Sequence, residues 1–287
     1  MNTPLVAAFG FCALYGLQIV LQSSFLKTSV HPIQLMFLTN AVSFLILTVF
    51  HAVTNRNMFR IFMTRNVRIL FLTATALWII ADMSSMIGLS ISSSVNLSIL
   101  SRLQIFITYI GAVMFLGEVY SPIRVVALGL AFVGSLLTVF RGQMLAFTTG
   151  DVLFLVFTAA ISISGLLRQK ISGQMSVHQM TYLMYGISTA VTGIFTVIYA
   201  PLNTIPVPGF IPINAMLSLL GFTCVNYAIA KGGAAQFSLV SSILPFVAAI
   251  FSYVLLKEIP TPYQMIGGAI IIGSILLFLT PSWKKNR

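Results

Sequence analysis

Residues 92–122, SSSVNLSILSRLQIFITYIGAVMFLGEVYSP, lie without a gap over residues 232–262, GGAAQFSLVSSILPFVAAIFSYVLLKEIPTP. The matched pairs include Ser98 with Ser238, Ser101 with Ser241, Phe106 with Phe246, Glu118 with Glu258 and Pro122 with Pro262. Apolar helices match one another in Leu and Ile by chance, but chance does not set Glu-x-x-x-Pro at the same place in both halves. After a one-residue slip Gly129 and Gly134 match Gly268 and Gly273, and upstream Ser29-Val30-His31 recurs as Ser176-Val177-His178. The chain reads as a tandem repeat.

The repeated unit is apolar, and so is the sequence around it. Of 287 residues 58% are hydrophobic and 7% charged, with a mean hydropathy of +1.03; a soluble domain carries about 25% charged residues. A water-soluble fold is excluded, as is disorder. Cys12 and Cys224 each sit in an apolar run, so a disulfide scaffold is excluded as well. The runs are long and lack two-residue alternation, which argues against a transmembrane barrel. Met1-Asn2-Thr3 is not basic and the first apolar segment continues past Leu21, which does not fit a signal peptide.

Ten apolar segments follow one another, at about 4–26, 32–52, 69–90, 93–116, 122–140, 151–167, 177–200, 213–230, 234–256 and 262–281. Each is close to the roughly 20 residues a membrane span needs. With the N-terminus in the cytoplasm, eleven Lys and Arg fall in inside breaks, among them Arg56, Arg60, Arg65, Arg68, Arg124, Arg168 and Lys231. Only Lys27, Arg141 and Lys257 fall outside. That asymmetry predicts both termini in the cytoplasm. It also accounts for the net charge of +11 without a nucleic-acid partner. The expected fold is an all-α membrane protein of ten transmembrane helices. Residues 1–141 form one five-helix repeat, residues 150–281 a second, and residues 282–287 a basic cytoplasmic tail. Five is odd, so the two repeats enter the bilayer in opposite senses. Inverted repeats are a mark of secondary transporters, whose site lies near the midplane between the halves.

The motifs Glu118-x-x-x-Pro122 and Glu258-x-x-x-Pro262, the glycines behind them, Gly150-Asp151, Tyr227-Ala228 and Tyr15-Gly16 resemble the drug/metabolite transporter superfamily in its EamA-like branch. The resemblance covers nearly the whole chain. Asn40 stands where many relatives carry Arg, and Arg102 is unusual in the fourth span. The resemblance implies a ten-helix basket around a cavity built by spans 1, 3, 4, 6, 8 and 9. It also implies export of amino acids or other small polar metabolites; more distant relatives carry nucleotide sugars and organic phosphates.

Arg102 and Asp82 are the leading candidates for a substrate site. An ionisable side chain deep in a span costs about 2.5–3.5 kcal/mol and usually faces a wet cavity or a partner. Arg102 would hold a carboxylate or phosphate. Asp82 would position Arg102 or bind a proton or an amine, and is the candidate for proton coupling. The plain alternative is that the two simply pair and join their helices. Around Arg102, Ser94, Ser98, Ser101, Thr108, Tyr109 and Ala112 share a face, matched in the other half by Ser238, Ser241 and Ser242. Trp78, Tyr15, Gln18, Asn226 and Tyr227 complete the candidate lining. A Tyr/Thr stripe in span seven, from His178 to Thr196, is set lower because that span is peripheral in the family. Glu118, Glu258 and Asp151 are expected to cap helix starts.

His31, His51 and His178 are scattered, so no metal cluster is expected, and without a phosphate loop or nucleophile triad neither ATP hydrolysis nor enzyme activity is. No cofactor is called for. The expected partners are a small-molecule substrate and the lipid bilayer, with glycine faces on spans five and ten that permit a homodimer. Short length and the lack of targeting signals point to a prokaryotic inner membrane. A non-transporting subunit or a channel is the alternative from another class.

Overall fold

The computed structural model describes residues 3–25, 31–54, 64–92, 94–139, 148–199, 209–257 and 259–280. Glu258 lies outside the described residues, as does the side chain of Ser98. Twelve helices follow in order: α1 (Thr3–Phe25), α2 (Pro32–Val53), α3 (Arg65–Ile91), α4 (Ser94–Leu100), α5 (Gln104–Leu116), α6 (Pro122–Val139), α7 (Thr149–Ile171), α8 (Val177–Tyr199), α9 (Phe210–Gly232), α10 (Ala234–Val240), α11 (Leu244–Leu256) and α12 (Pro262–Leu279). Among the described residues there is no strand.

Among the described residues, nine helical stretches are long and apolar enough to cross a membrane, and Ser101–Leu116 is a shorter apolar helix. Ten spans were expected; the described residues give these nine and this shorter helix. Polar residues Ser92, Ser93, Ser94 and Asn96 thin out the start of the fourth expected span, and α4 joins α5 through a 3-10 turn at Ser101–Leu103. The second repeat breaks at the same place, between α10 and α11, at Ser241–Ile243. Both turns, the helices around them and the left-handed residues Gly117 (φ 70°) and Lys257 (φ 60°) that end α5 and α11 keep one constant register between the halves. The one-residue slip inferred for the glycines is not needed, since α6 and α12 keep that register too. Lys257 pays the steric cost that glycine avoids at Gly117. Lys257→Gly is expected to stabilise the protein by about 1 kcal/mol, read as a higher apparent Tm in detergent.

The packing repeats as well. The most extensive contacts are α3 with α7, α6 with α12, α1 with α9 and α2 with α8. Exchanging the halves turns the α3–α7 pair into α9–α1 and leaves the other two pairs unchanged. Lipid attracts apolar side chains as well as protein does, so close backbone approach must supply much of the cohesion between helices. At the crossing of α6 and α12, a Cβ on Gly134 would stand 2.9 Å from the Gly267 carbonyl, and one on Gly267 2.5 Å from the Gly134 carbonyl.

Candidate functional site

A 3-10 turn inside an α-helix changes which amide each carbonyl meets. In the second repeat the cause is legible: Pro245 has no N–H to offer Ser241, four residues before it. Arg102, in the matching turn of the first repeat, donates from Nη1 to that Ser241 carbonyl at 3.4 Å. The adjacent Val240 carbonyl accepts from Cys12 Sγ at 3.7 Å, and Ser135 Oγ, which donates to the Ala131 carbonyl of its own helix at 2.6 Å, lies 3.5 Å from the Ser242 carbonyl. In the first repeat, Thr158 Oγ1, which donates to the Phe154 carbonyl of its own helix at 2.7 Å, lies 3.3 Å from the Leu100 carbonyl. Cys12 and Thr158 are each the tenth residue of a 23-residue helix. The two helix breaks therefore meet at the seam, and each is contacted by side chains of the opposite half.

Three ionisable side chains near the middle of the bundle keep partial exposure. On α1 the exposed Val6, Phe9 and Ala13 mark the lipid side. Tyr15 projects roughly opposite to them, among buried Ala8, Cys12 and Gln18, yet is 38% exposed. On α3 the lipid side carries Ile69, Leu72, Ile80 and Ile87. Asp82 lies opposite, beside buried Trp78 and Ser85, and is itself half-exposed. Exposure on the face turned away from lipid means an interior space. Asp82 is within electrostatic reach of the Tyr15 and Tyr185 phenols, and half-buried Arg102 within reach of Cys12, one turn from Tyr15. The simple pairing of Arg102 with Asp82 finds no support: the ion pair among the described residues joins Arg124 Nη1 to Glu118 Oε2 at 3.9 Å.

The other sequence candidates are engaged elsewhere. Tyr109 is 3% exposed; its hydroxyl accepts from the Ser121 amide at 3.0 Å and donates to the Ser121 carbonyl at 3.4 Å. Ser238 donates to the Ala235 carbonyl and is buried, and Ser242 is fully buried in the packing. Gln18 Nε2 donates to Asn214 Oδ1 at 3.0 Å, and Asn214 in turn to Thr39, a bridge across α1, α9 and α2. Tyr227 reaches Thr3 at the start of α1. Trp78 stacks on Phe222 with centroids 4.5 Å apart and meets Tyr185 edge-on. Along span seven, Thr181, Thr189, Thr192 and Thr196 donate to carbonyls four residues earlier in α8, and Asn40 of α2 donates to Ser188. That stripe packs helices together.

Asp151 starts α7 and is buried. It accepts from the Thr148 amide and hydroxyl, from Ser92 Oγ at 2.6 Å and from Asn96 Nδ2 at 2.9 Å. It thus caps α7 and bolts the α3–α4 turn to it. Glu118 behaves differently from the expected cap. Its Oε1 accepts from Gln169 Nε2 at 3.1 Å, and Gln169 Oε1 accepts from the Ala234 amide at 2.7 Å. Gly233 (φ 89°) brings the α10 start within reach, and a Cβ there would meet Glu118 Oε1 at 3.1 Å. This latch ties the halves together at the end of the bundle carrying Lys231. The exchange symmetry fails at the same end, because α10 packs extensively on α5 while α4 and α11 show no comparable contact among the described residues.

Arg168 was expected in a loop at a membrane face. The helix instead continues to Ile171, and Arg168 is 2% exposed within the bundle. Nη1 donates to Asn226 Oδ1 at 2.8 Å, Nε to the Ser164 carbonyl at 3.4 Å, and the guanidinium lies 5.4 Å from the Phe222 ring centre. Asn226 is 1% exposed and is held by Thr181 at 3.0 Å, so it serves Arg168 and does not line the open space. The tendency of Arg to sit at span ends hid this residue; the sequence signal was that apolar periodicity runs on beyond it.

An apolar multi-helix bundle made of two matched halves, with ionisable groups held among its helices, fits an integral membrane transporter. The model of the EamA-like transporter family matches residues 2–140 and again 148–280. The chain belongs to this family. It is 27% identical over 201 residues to the uncharacterized transporter YyaM of Bacillus subtilis (strain 168), an alignment that spans 66% of this chain and 66%, just under two thirds, of that protein. A solved crystal structure superposes with a TM-score of 0.83 at 13% identity, covering 96% of both chains, which shows the fold alone. Family and relative point to a transporter and not to an enzyme.

Proposed function

We propose that this chain is a secondary transporter that exports small polar metabolites such as amino acids by alternating access between inverted halves. It would reside in a prokaryotic inner membrane with ten spans and both termini in the cytoplasm. The observation that carries this reading is the half-exposed group of Tyr15, Asp82 and Arg102 on interior faces at the meeting of two helix breaks. A carboxylate, a phenol and a guanidinium around one space suit a zwitterion: Asp82 receives the ammonium and Arg102 the carboxylate. With Lys231 cytoplasmic, the latched end faces inward and the substrate space communicates outward.

The test is counterflow in proteoliposomes, with a panel of labelled L-amino acids beside inorganic phosphate and sugar phosphates. Saturable uptake of an amino acid, accelerated by the same amino acid inside, is expected. Counterflow confined to phosphates would replace the zwitterion by a phosphorylated substrate, and unsaturable flux without acceleration would indicate a channel. Asp82→Asn is expected to remove any response to an imposed pH gradient; an unchanged response would exclude Asp82 as the proton carrier.

A further inference from the structure

Among the described residues, Arg168 is a buried cation without an acidic partner. Its contacts are an amide oxygen, a main-chain carbonyl and an aromatic ring. The chain has four acidic residues. Asp151 is occupied by Thr148, Ser92 and Asn96, Glu118 by Gln169 and Arg124, and Asp82 is not among the contacts of Arg168. A buried charge without a counterion is costly, and inside a membrane bundle such a group marks an ion or substrate pathway.

Its position says which part of the pathway. Arg168 adjoins Gln169, the central residue of the latch that holds the Lys231 end together. The Phe222 ring that it faces stacks on Trp78, one helical turn from Asp82 on α3. Arg168 therefore lies between the open seam and the closed end, behind an aromatic partition. We infer that Arg168 is a second oxyanion station, which takes the acidic group of the substrate when the Lys231 end unlatches. This rests on the transport reading above and adds that the substrate carries a carboxylate or phosphate and meets two guanidiniums in turn. Asn226, clamped by Thr181, holds the Arg168 fork in place and acts as a positioning residue.

The test needs no knowledge of the substrate. Thr181→Cys is placed in a chain in which Cys12 and Cys224 are alanine, and its reaction with anionic and cationic methanethiosulfonates is followed in nanodiscs. The anionic reagent is expected to react at least about tenfold faster, with that preference lost in Arg168→Gln. Breaking the latch with Glu118→Ala should speed both reagents. Acetate and inorganic phosphate, against chloride at equal ionic strength, distinguish a carboxylate from a phosphate station by which one slows the reaction. Absence of charge preference, or no protection by either anion, overturns the proposal. Should Arg168→Gln not fold, Asn226→Asp gives the answer: an internal carboxylate beside Arg168 should cancel the preference and raise the apparent Tm. A higher Tm with the preference intact means a purely structural arginine. Labelling and counterflow are separate measurements, so failure of either identifies which reading has failed.

Discussion

Replacing Arg102 by alanine is expected to abolish counterflow while the amount of folded protein in the membrane stays near that of the parent. The argument is energetic. A hydrogen bond to a charged group is worth about 1.5–3 kcal/mol, or about 10–100-fold in affinity, and a desolvated guanidinium–carboxylate pair falls at the upper end. The fold loses much less, because the Ser241 carbonyl still has the Leu244 amide as a helical donor. Arg102→Lys should restore folding and only part of the transport, since a point charge cannot make the two-pronged contact of the guanidinium. Counterflow in Arg102→Ala within about twofold of the parent would remove Arg102 from the site. Loss of folded protein in both variants would instead make it a structural strut.

The largest effect on stability is expected from Gly267→Val. Even a single Cβ at this position would meet the Gly134 carbonyl at 2.5 Å and the Thr138 amide at 2.9 Å. Both are main-chain atoms of α6 and cannot rotate away as a side chain could. The helices would have to separate, and in a bilayer the lost packing has no hydrophobic compensation. Little or no folded protein should survive detergent extraction, as read by fluorescence-detected size exclusion. Gly129→Val is the control, because nothing stands within 4 Å of a Cβ there. Equal behaviour of the two variants would refute the close crossing of α6 and α12.

How far the sequence could reveal this architecture differs from element to element. The repeat was visible in Glu-x-x-x-Pro because that motif follows α5 and α11 in the same register. The membrane class followed from the scarcity of charge. The two helix breaks were not visible. Pro245 is a cue in one half, but its counterpart is Ile105, and a break without proline leaves no local mark. Polar stripes misled for a physical reason. Ser and Thr in a span can satisfy themselves on their own helix, as Thr192 does on Ser188, so a polar face need not line water. Tyr109 shows the same for a larger group, its hydroxyl spent on Ser121. Arg168 and Glu118 depended on partners more than 50 residues away, Asn226 and Gln169, which no local pattern records. Asp82 and Arg102 stood out in the sequence because a charge in a span is rare whatever its partners.

The broken helices carry one more implication. Leu100 in the first half touches Thr158 of the second, and Val240, Ser241 and Ser242 touch Cys12, Arg102 and Ser135 of the first. Neither set of five spans is self-sufficient: cut apart, each would lose the side-chain contacts that the other half supplies at its helix break. A solitary half should persist only by borrowing donors from a complementary fragment, so co-expressed fragments are expected to rescue each other and single ones to be degraded.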